Sequence, residues 1–351
     1  MHGRTRRARR TAAGRRGWPL ALAAAATVAL GTGCSSSDGD KDPAPAAAPA
    51  HAAAAPVPAA APAGSVTAAG PVAALLSEPS GGRLVLLDPD GVTVRITDPG
   101  GTEPARTLTL PAPAAALAPG APGQVLAAAG RGLVHIDTLT GATRDTPLDG
   151  EARAVARRGD GSLAVGLADG RAQILAADGH VLQTISDLSG ADAVAAAGDA
   201  VAVLDRAQTS LTQLDLGRGK PGLALRAGTG ATTLISDHFG RLLVTDTAGG
   251  ALLVYTADPL VLRQRFPVGS SPYALAYDQR SETVWVTLTA SNEVAGFDLS
   301  TGIPEEVGRF ATVRQPNSVT IDERTGDLFV GSATGDGVQR IGADERKRGQ
   351  R

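Results

Sequence analysis

Asp88, Asp205 and Asp246 each close a short apolar run, RLVLLD, AVAVLD and RLLVTD. Asn292 and Asp336 follow two further runs of this kind at a slightly greater distance, and Asn317 lies in the segment leading into another run. Carboxylate and amide oxygens gathered around one opening are the ligands that a hard cation such as calcium or magnesium takes. These six residues form the candidate ligand or cation mouth. The plainer alternative is that they are solvated loop residues, and no cofactor beyond such a cation is expected. The other side chains give less chemistry. His135, His180 and His238 fall in separate units with no common placement, which disfavours a three-histidine metal site. The chain has no G-x-S-x-G elbow, no phosphate-binding loop and no H-E-x-x-H pair.

Cys34 is the one cysteine in 351 residues, so no intramolecular disulfide is available. It follows a basic run with seven arginines, an apolar stretch from Trp18 to Leu30 and a few small residues. That stretch is shorter than the roughly 20 residues a membrane span needs and fits the apolar region of an export signal. The order resembles a bacterial lipoprotein signal. Thr32 and Gly33 suit the positions before cleavage, while Gly31 stands where Leu is usual and Leu30 lies one place early. The resemblance implies that Cys34 carries a diacylglyceryl group and becomes the new N-terminus, anchoring the chain to the extracytoplasmic face of the membrane. The arginine pairs leave the general and the twin-arginine export routes both open.

The elements that must position the six mouth residues come from a repeat. The runs RLVLLD, QVLAAA, SLAVGL, AVAVLD, RLLVTD, TVWVTL and DLFVGS recur about every 40 residues. A second run precedes each, a third follows most, and a fourth is clear in several, as in ARTLTL and HVLQTI. Four short strands at this period predict an all-β, seven-bladed β-propeller of four-stranded antiparallel blades. The seventh unit lacks a fourth strand, and SVTAAG, Ser65 to Gly70, is expected to supply it and close the ring. The loops at the ends of the second strands share a face with those entering the first strands, which bring Glu151, Asp192, Ser271, Arg314, Gln315 and Asn317. The domain plan is therefore a signal peptide over 1–33, a disordered Ala/Pro-rich tether over 34–64, the propeller over 65–342 and a charged, solvated tail over 343–351. Asp137, Asp215 and Asp298 open Asp-x-x-x-Gly turns, a structural role also expected of Asp237, Asp278 and Asp322.

The segments SPYALAYDQRSETVWVTLTASNEVAGFDLSTG and QPNSVTIDERTGDLFVGSATGDGVQRI resemble the YVTN type of propeller repeat. Pro272 and Pro316 match its proline ahead of the first strand, Trp285 and Phe329 its aromatic, Ser291 and Asn292 its loop, and Asp298 its closing aspartate. The whole chain looks like an actinobacterial propeller lipoprotein. The formal net charge of −2 becomes −9 once the seven arginines of residues 1–33 are removed, which disfavours nucleic acid as a partner. The expected function is that of a monomeric, lipid-anchored, non-enzymatic binding or scaffold module for a protein, cell-wall or small-molecule ligand. The alternative is a divalent-cation-dependent propeller enzyme of the lactonase or lyase type.

Overall fold

The computed structural model describes residues 48–101 and 103–348. The expected signal peptide and Cys34 lie outside the described residues. Within them the chain forms seven four-stranded antiparallel sheets arranged as the blades of a propeller. The innermost strands are Ala74–Ser77, Ala114–Pro119, Ala152–Arg157, Ala193–Ala197, Ala231–Ser236, Pro272–Asp278 and Pro316–Ile321. Small residues dominate several of these because seven strands converge on one axis, where bulky side chains have no room. A β-bulge near the start of five of them bends the strand and sharpens its twist as it enters the crowded centre.

The core lies between blades, not within them. Leu243 and Val254 of blade 5 pack with Val284, Val286 and Phe297 of blade 6, and Trp285 of blade 6 packs with Val319 and Val330 of blade 7. Each blade thus buries both faces, and the second strand of blade 6, Thr283–Leu288, has every residue buried.

The ring closes as the repeat count demands. Ser65–Thr67 pairs antiparallel with Val338–Ile341, in the register Ser65 opposite Arg340 and Thr67 opposite Val338. Closure removes the one long free edge. Gln339, fully buried, fastens the seam: its Nε2 donates to the Ala63 and Ala311 carbonyls, and its Oε1 accepts from the Val313 amide. The aspartate turns also form as expected. Asp137 accepts the Leu139 and Thr140 amides, and Asp237 accepts those of Phe239 and Arg241.

Two segments differ from their expected behaviour. Residues 48–64, assigned to a free tether, run over the ring and are hydrogen-bonded to it from Ala50 to Ala63. Their proline content favours extension, and extended backbone leaves its amides and carbonyls free to bond to the loops below. The charged ending also docks: Ala343–Arg348 forms a short helix, and Arg346 is only 5% exposed. Its guanidinium pairs with Asp278 at 3.0 Å, donates to the Gly326 carbonyl and lies 4.9 Å from the centre of the Trp285 ring.

Candidate functional site

The seven inner strands enclose a central channel of about 560 Å³. Its wall is built from the later residues of those strands, among them Ala118, Ala156, Ala196, Leu275 and Val319. It therefore opens where the inner strands end. Pro79, Pro119, Arg157, His238, Gln279 and Glu323 form its rim. Polar and apolar groups line it about equally, and a concave site with a few convergent polar groups is the usual form of a small-molecule site.

Three adjacent blades make one side of this rim chemically distinct. Blade 5 brings His238, whose ring centre lies 5.6 Å from that of Tyr277 in blade 6 and 3.9 Å from that of Phe239. Burial, and then the Asp237 carboxylate, push the Tyr277 hydroxyl up to about 12. Blade 7 brings Glu323, which lines the channel mouth and is exposed to solvent. Desolvation raises its carboxyl above the ordinary range, and repulsion from Asp322, Asp278 and Glu78 adds to the rise. The neighbouring acids are already engaged. Asp278 pairs with Arg346, and Asp322 with Arg324 at 3.4 Å. Glu78 accepts the amides of Ser80, Gly81 and Gly123. Glu323 has no such partner among the described residues. On the wall, the Ser77 hydroxyl is buried and likewise meets no hydrogen-bond partner.

A raised carboxyl pKa has a definite sign. Between the unfolded value of 4.5 and the higher folded value, the folded state holds more protons, so stability falls as pH rises through that window. Glu323→Gln removes the penalty. It is expected to melt above the wild type at pH 7 and level with it at pH 4, in thermal unfolding followed by circular dichroism.

The six mouth residues read from the sequence do not gather into one site. Asp88 is bound by Arg95, whose Nε donates at 2.7 Å. Asp205 is buried and accepts the Gln208 amide at 2.8 Å. Asp246 is fully buried, and one carboxylate oxygen accepts the amides of Thr229, Gly230 and Gly249. Asp336 accepts from Thr334 Oγ1 at 2.6 Å and from Ser332 Oγ at 3.2 Å. Asn292 and Asn317 alone are drawn together, through Gln315: its amide donates to Asn292 Oδ1 and its Nε2 to Asn317 Oδ1, both at 2.9 Å. Among the described residues no three His, Cys, Asp or Glu side chains are placed to hold a metal ion. The acids serve their own turns instead, because an Asp at a strand end accepts the nearest amides first.

The face on which sequence reasoning placed the site is also the face that residues 50–56 cover. Ser271, Arg314 and Gln315, named from the sequence as loop residues of this face, all bond to that segment. The channel rim lies at the other ends of the inner strands. Glu323 was missed because it sits in a turn among three other charged residues in DERTGD, where nothing in the sequence marks one as facing the axis.

No protein-family model matches the chain, and no curated protein sequence matches it. Solved structures do. A streptogramin B lyase structure is similar at a TM-score of 0.63 and 14% identity, covering 79% of this chain and 94% of that one. Kuenenia stuttgartiensis hydrazine synthase is similar at 0.66 and 12%, over 79% and 96%. Selenomethionine-substituted virginiamycin B lyase from Staphylococcus aureus is similar at 0.62 and 14%, over 78% and 94%. At these identities the likeness is one of fold, and this chain shares with them the architecture of a β-propeller.

Proposed function

We propose that this chain is an extracytoplasmic, lipid-anchored binding propeller that takes a small molecule into its central channel. The observation that carries the reading is the 560 Å³ channel, with the unpartnered carboxyl of Glu323 on its rim beside His238 and Tyr277. An acid and aromatic rings at the mouth, above the Leu and Val side chains of the wall, suit a ligand with an apolar body and a cationic or hydrogen-bond-donating end. Titration of the protein with benzylamine, against a variant whose channel is filled by Ala196→Phe, tests this. The YVTN-type repeat and the actinobacterial lipoprotein reading stay part of the proposal, resting on the sequence segments quoted above.

The anchor has its own test. Cys34→Ala is expected to abolish incorporation of labelled fatty acid and to release the protein from the membrane fraction. One acyl chain binds only marginally and two or more hold firmly, so the loss should be near complete. Equal partitioning of variant and wild type would count against the anchor.

The fold likeness to two lyase structures keeps a cation-dependent lyase- or lactonase-like enzyme as the second reading. It requires ligating side chains to converge, and the four mouth aspartates are instead committed to separate turns and loops.

A further inference from the structure

Residues 50–56, AHAAAAP, cross the face opposite the channel rim, at the ends where the inner strands of blades 5 to 7 begin. Among the described residues, every hydrogen bond that holds the segment goes to its main chain. Arg206 donates to the Ala50 carbonyl at 3.1 Å. Ser271 Oγ accepts the Ala53 amide at 2.9 Å. The Gln315 side chain reads both polarities, donating to the Ala53 carbonyl at 3.0 Å and accepting the Ala55 amide at 2.8 Å. Arg314 reaches the Ala55 carbonyl, and Asn292 donates to the Pro56 carbonyl at 2.9 Å. Main-chain bonding of this kind gives affinity, and the pockets beneath alternate side chains give selectivity. Here two small residues lie close against the ring. Ala55 is 5% exposed, and a Cβ built on Gly230 would lie 2.8 Å from that of Ala50.

The receiving side is held in an unusual backbone conformation. Ser271, Asn292 and Gln315 have φ of 55°, 54° and 52°, and they are half of the six non-glycine residues with positive φ among those described. Left-handed backbone costs free energy in such residues and clusters where a structure grips a ligand. Asn292 is also buried, with its amide nitrogen spent on Pro56. These features belong to the loops of the ring and not to the segment lying on them.

We propose that this face is a peptide-binding site for extended, Ala/Pro-rich main chain, and that residues 50–56 are its ligand in cis. The site is separate from the channel and does not depend on the channel's ligand. Its ligand class is set by the donors and acceptors above: an uncharged, extended peptide with a small residue at the position of Ala55.

The test uses full-length protein in which residues 50–56 are replaced by an alternating Gly/Glu heptapeptide with Glu at position 55, whose buried charge vacates the site. The probe is a fluorescein-labelled peptide of residues 48–57, followed by anisotropy. Saturable binding to the vacated protein is expected, with binding to the wild type at least about tenfold weaker, because the attached segment competes at a high effective concentration. The same peptide carrying Ala55→Glu should also bind at least about tenfold more weakly, a buried charge being costly. No saturable binding to the folded, vacated protein, or equal binding of both peptides, would overturn the proposal. Should the replacement not fold, single substitutions in the full chain decide. Ala55→Glu should speed proteolysis within 48–64 by about tenfold, whereas Ala54→Glu, at an exposed position, should not. Equal cleavage of the two would overturn it as well.

Discussion

Arg346→Ala is expected to lower the unfolding free energy by about 3–5 kcal/mol, the usual loss when one partner of a buried ion pair is removed. Asp278, its partner, is 2% exposed and lies at the end of the inner strand of blade 6. Without the guanidinium that carboxylate keeps the Arg280 amide but loses its counter-charge. The Gly326 carbonyl in blade 7 loses a donor, and Trp285 loses the cation over its face. A single side chain from the C-terminal helix thus ties two blades beside the seam. Arg346→Met combined with Asp278→Asn should recover most of the loss, since an uncharged pair needs no compensation. Urea unfolding measures both. A loss below about 1 kcal/mol for Arg346→Ala would be the result of an exposed pair and would return the tail to solvent.

Asp246→Ala should destabilise the ring by at least about 3 kcal/mol, while Asp246→Asn should cost much less. The two substitutions separate a turn acceptor from a metal ligand. In the structure one oxygen of Asp246 accepts three amides, and alanine leaves all three without it, at about 1–3 kcal/mol for each donor left buried. Asparagine keeps the acceptor and gives up only the charge, whose nearest cation is the half-exposed Arg265 at 3.5 Å. The fit is close: a Cβ built on Gly249 would fall 1.9 Å from the other carboxylate oxygen, so the turn is shaped around this side chain. A cation ligand behaves differently. If Asp246 held calcium, asparagine would weaken the site, and the wild type itself would melt higher in calcium than in EDTA. A cation at about 100 times its Kd adds about 2.7 kcal/mol. The structure predicts matching midpoints in calcium and in EDTA for wild type and Asp246→Asn alike.

The period of about 40 residues and the alternation of apolar runs with turn residues made the blade count and the closing strand at Ser65 legible from the sequence alone. Repeats carry their architecture in every unit, so a few obscure blades do not hide the ring. The Asp-x-x-x-Gly turns were legible for the same reason: aspartate bonds locally, to amides two and three residues on. The docking of residues 50–56 was not. Their side chains are those of a spacer, and what binds is the main chain, which leaves no trace in residue type. Arg346 was hidden by its neighbours in ERKRGQR, because only the turn of helix selects which of several like charges faces inward. The channel face was misplaced because aspartates at strand ends drew attention to one set of loops. On the other set, Glu323 lacks a partner only by virtue of where its turn sits above the axis.

A channel that binds ligand and a rim that prefers a cation are both read out by titration calorimetry of full-length protein with benzylamine. Benzoate, Glu323→Gln and Ala196→Phe serve as the three comparisons. Saturable benzylamine binding is expected, at least about tenfold tighter than benzoate, a difference of about 1.4 kcal/mol. Glu323→Gln should erase that preference, and Ala196→Phe should remove binding altogether. Benzylamine bound as well by Ala196→Phe as by the wild type, or not bound by the wild type at all, would contradict a ligand site in the channel.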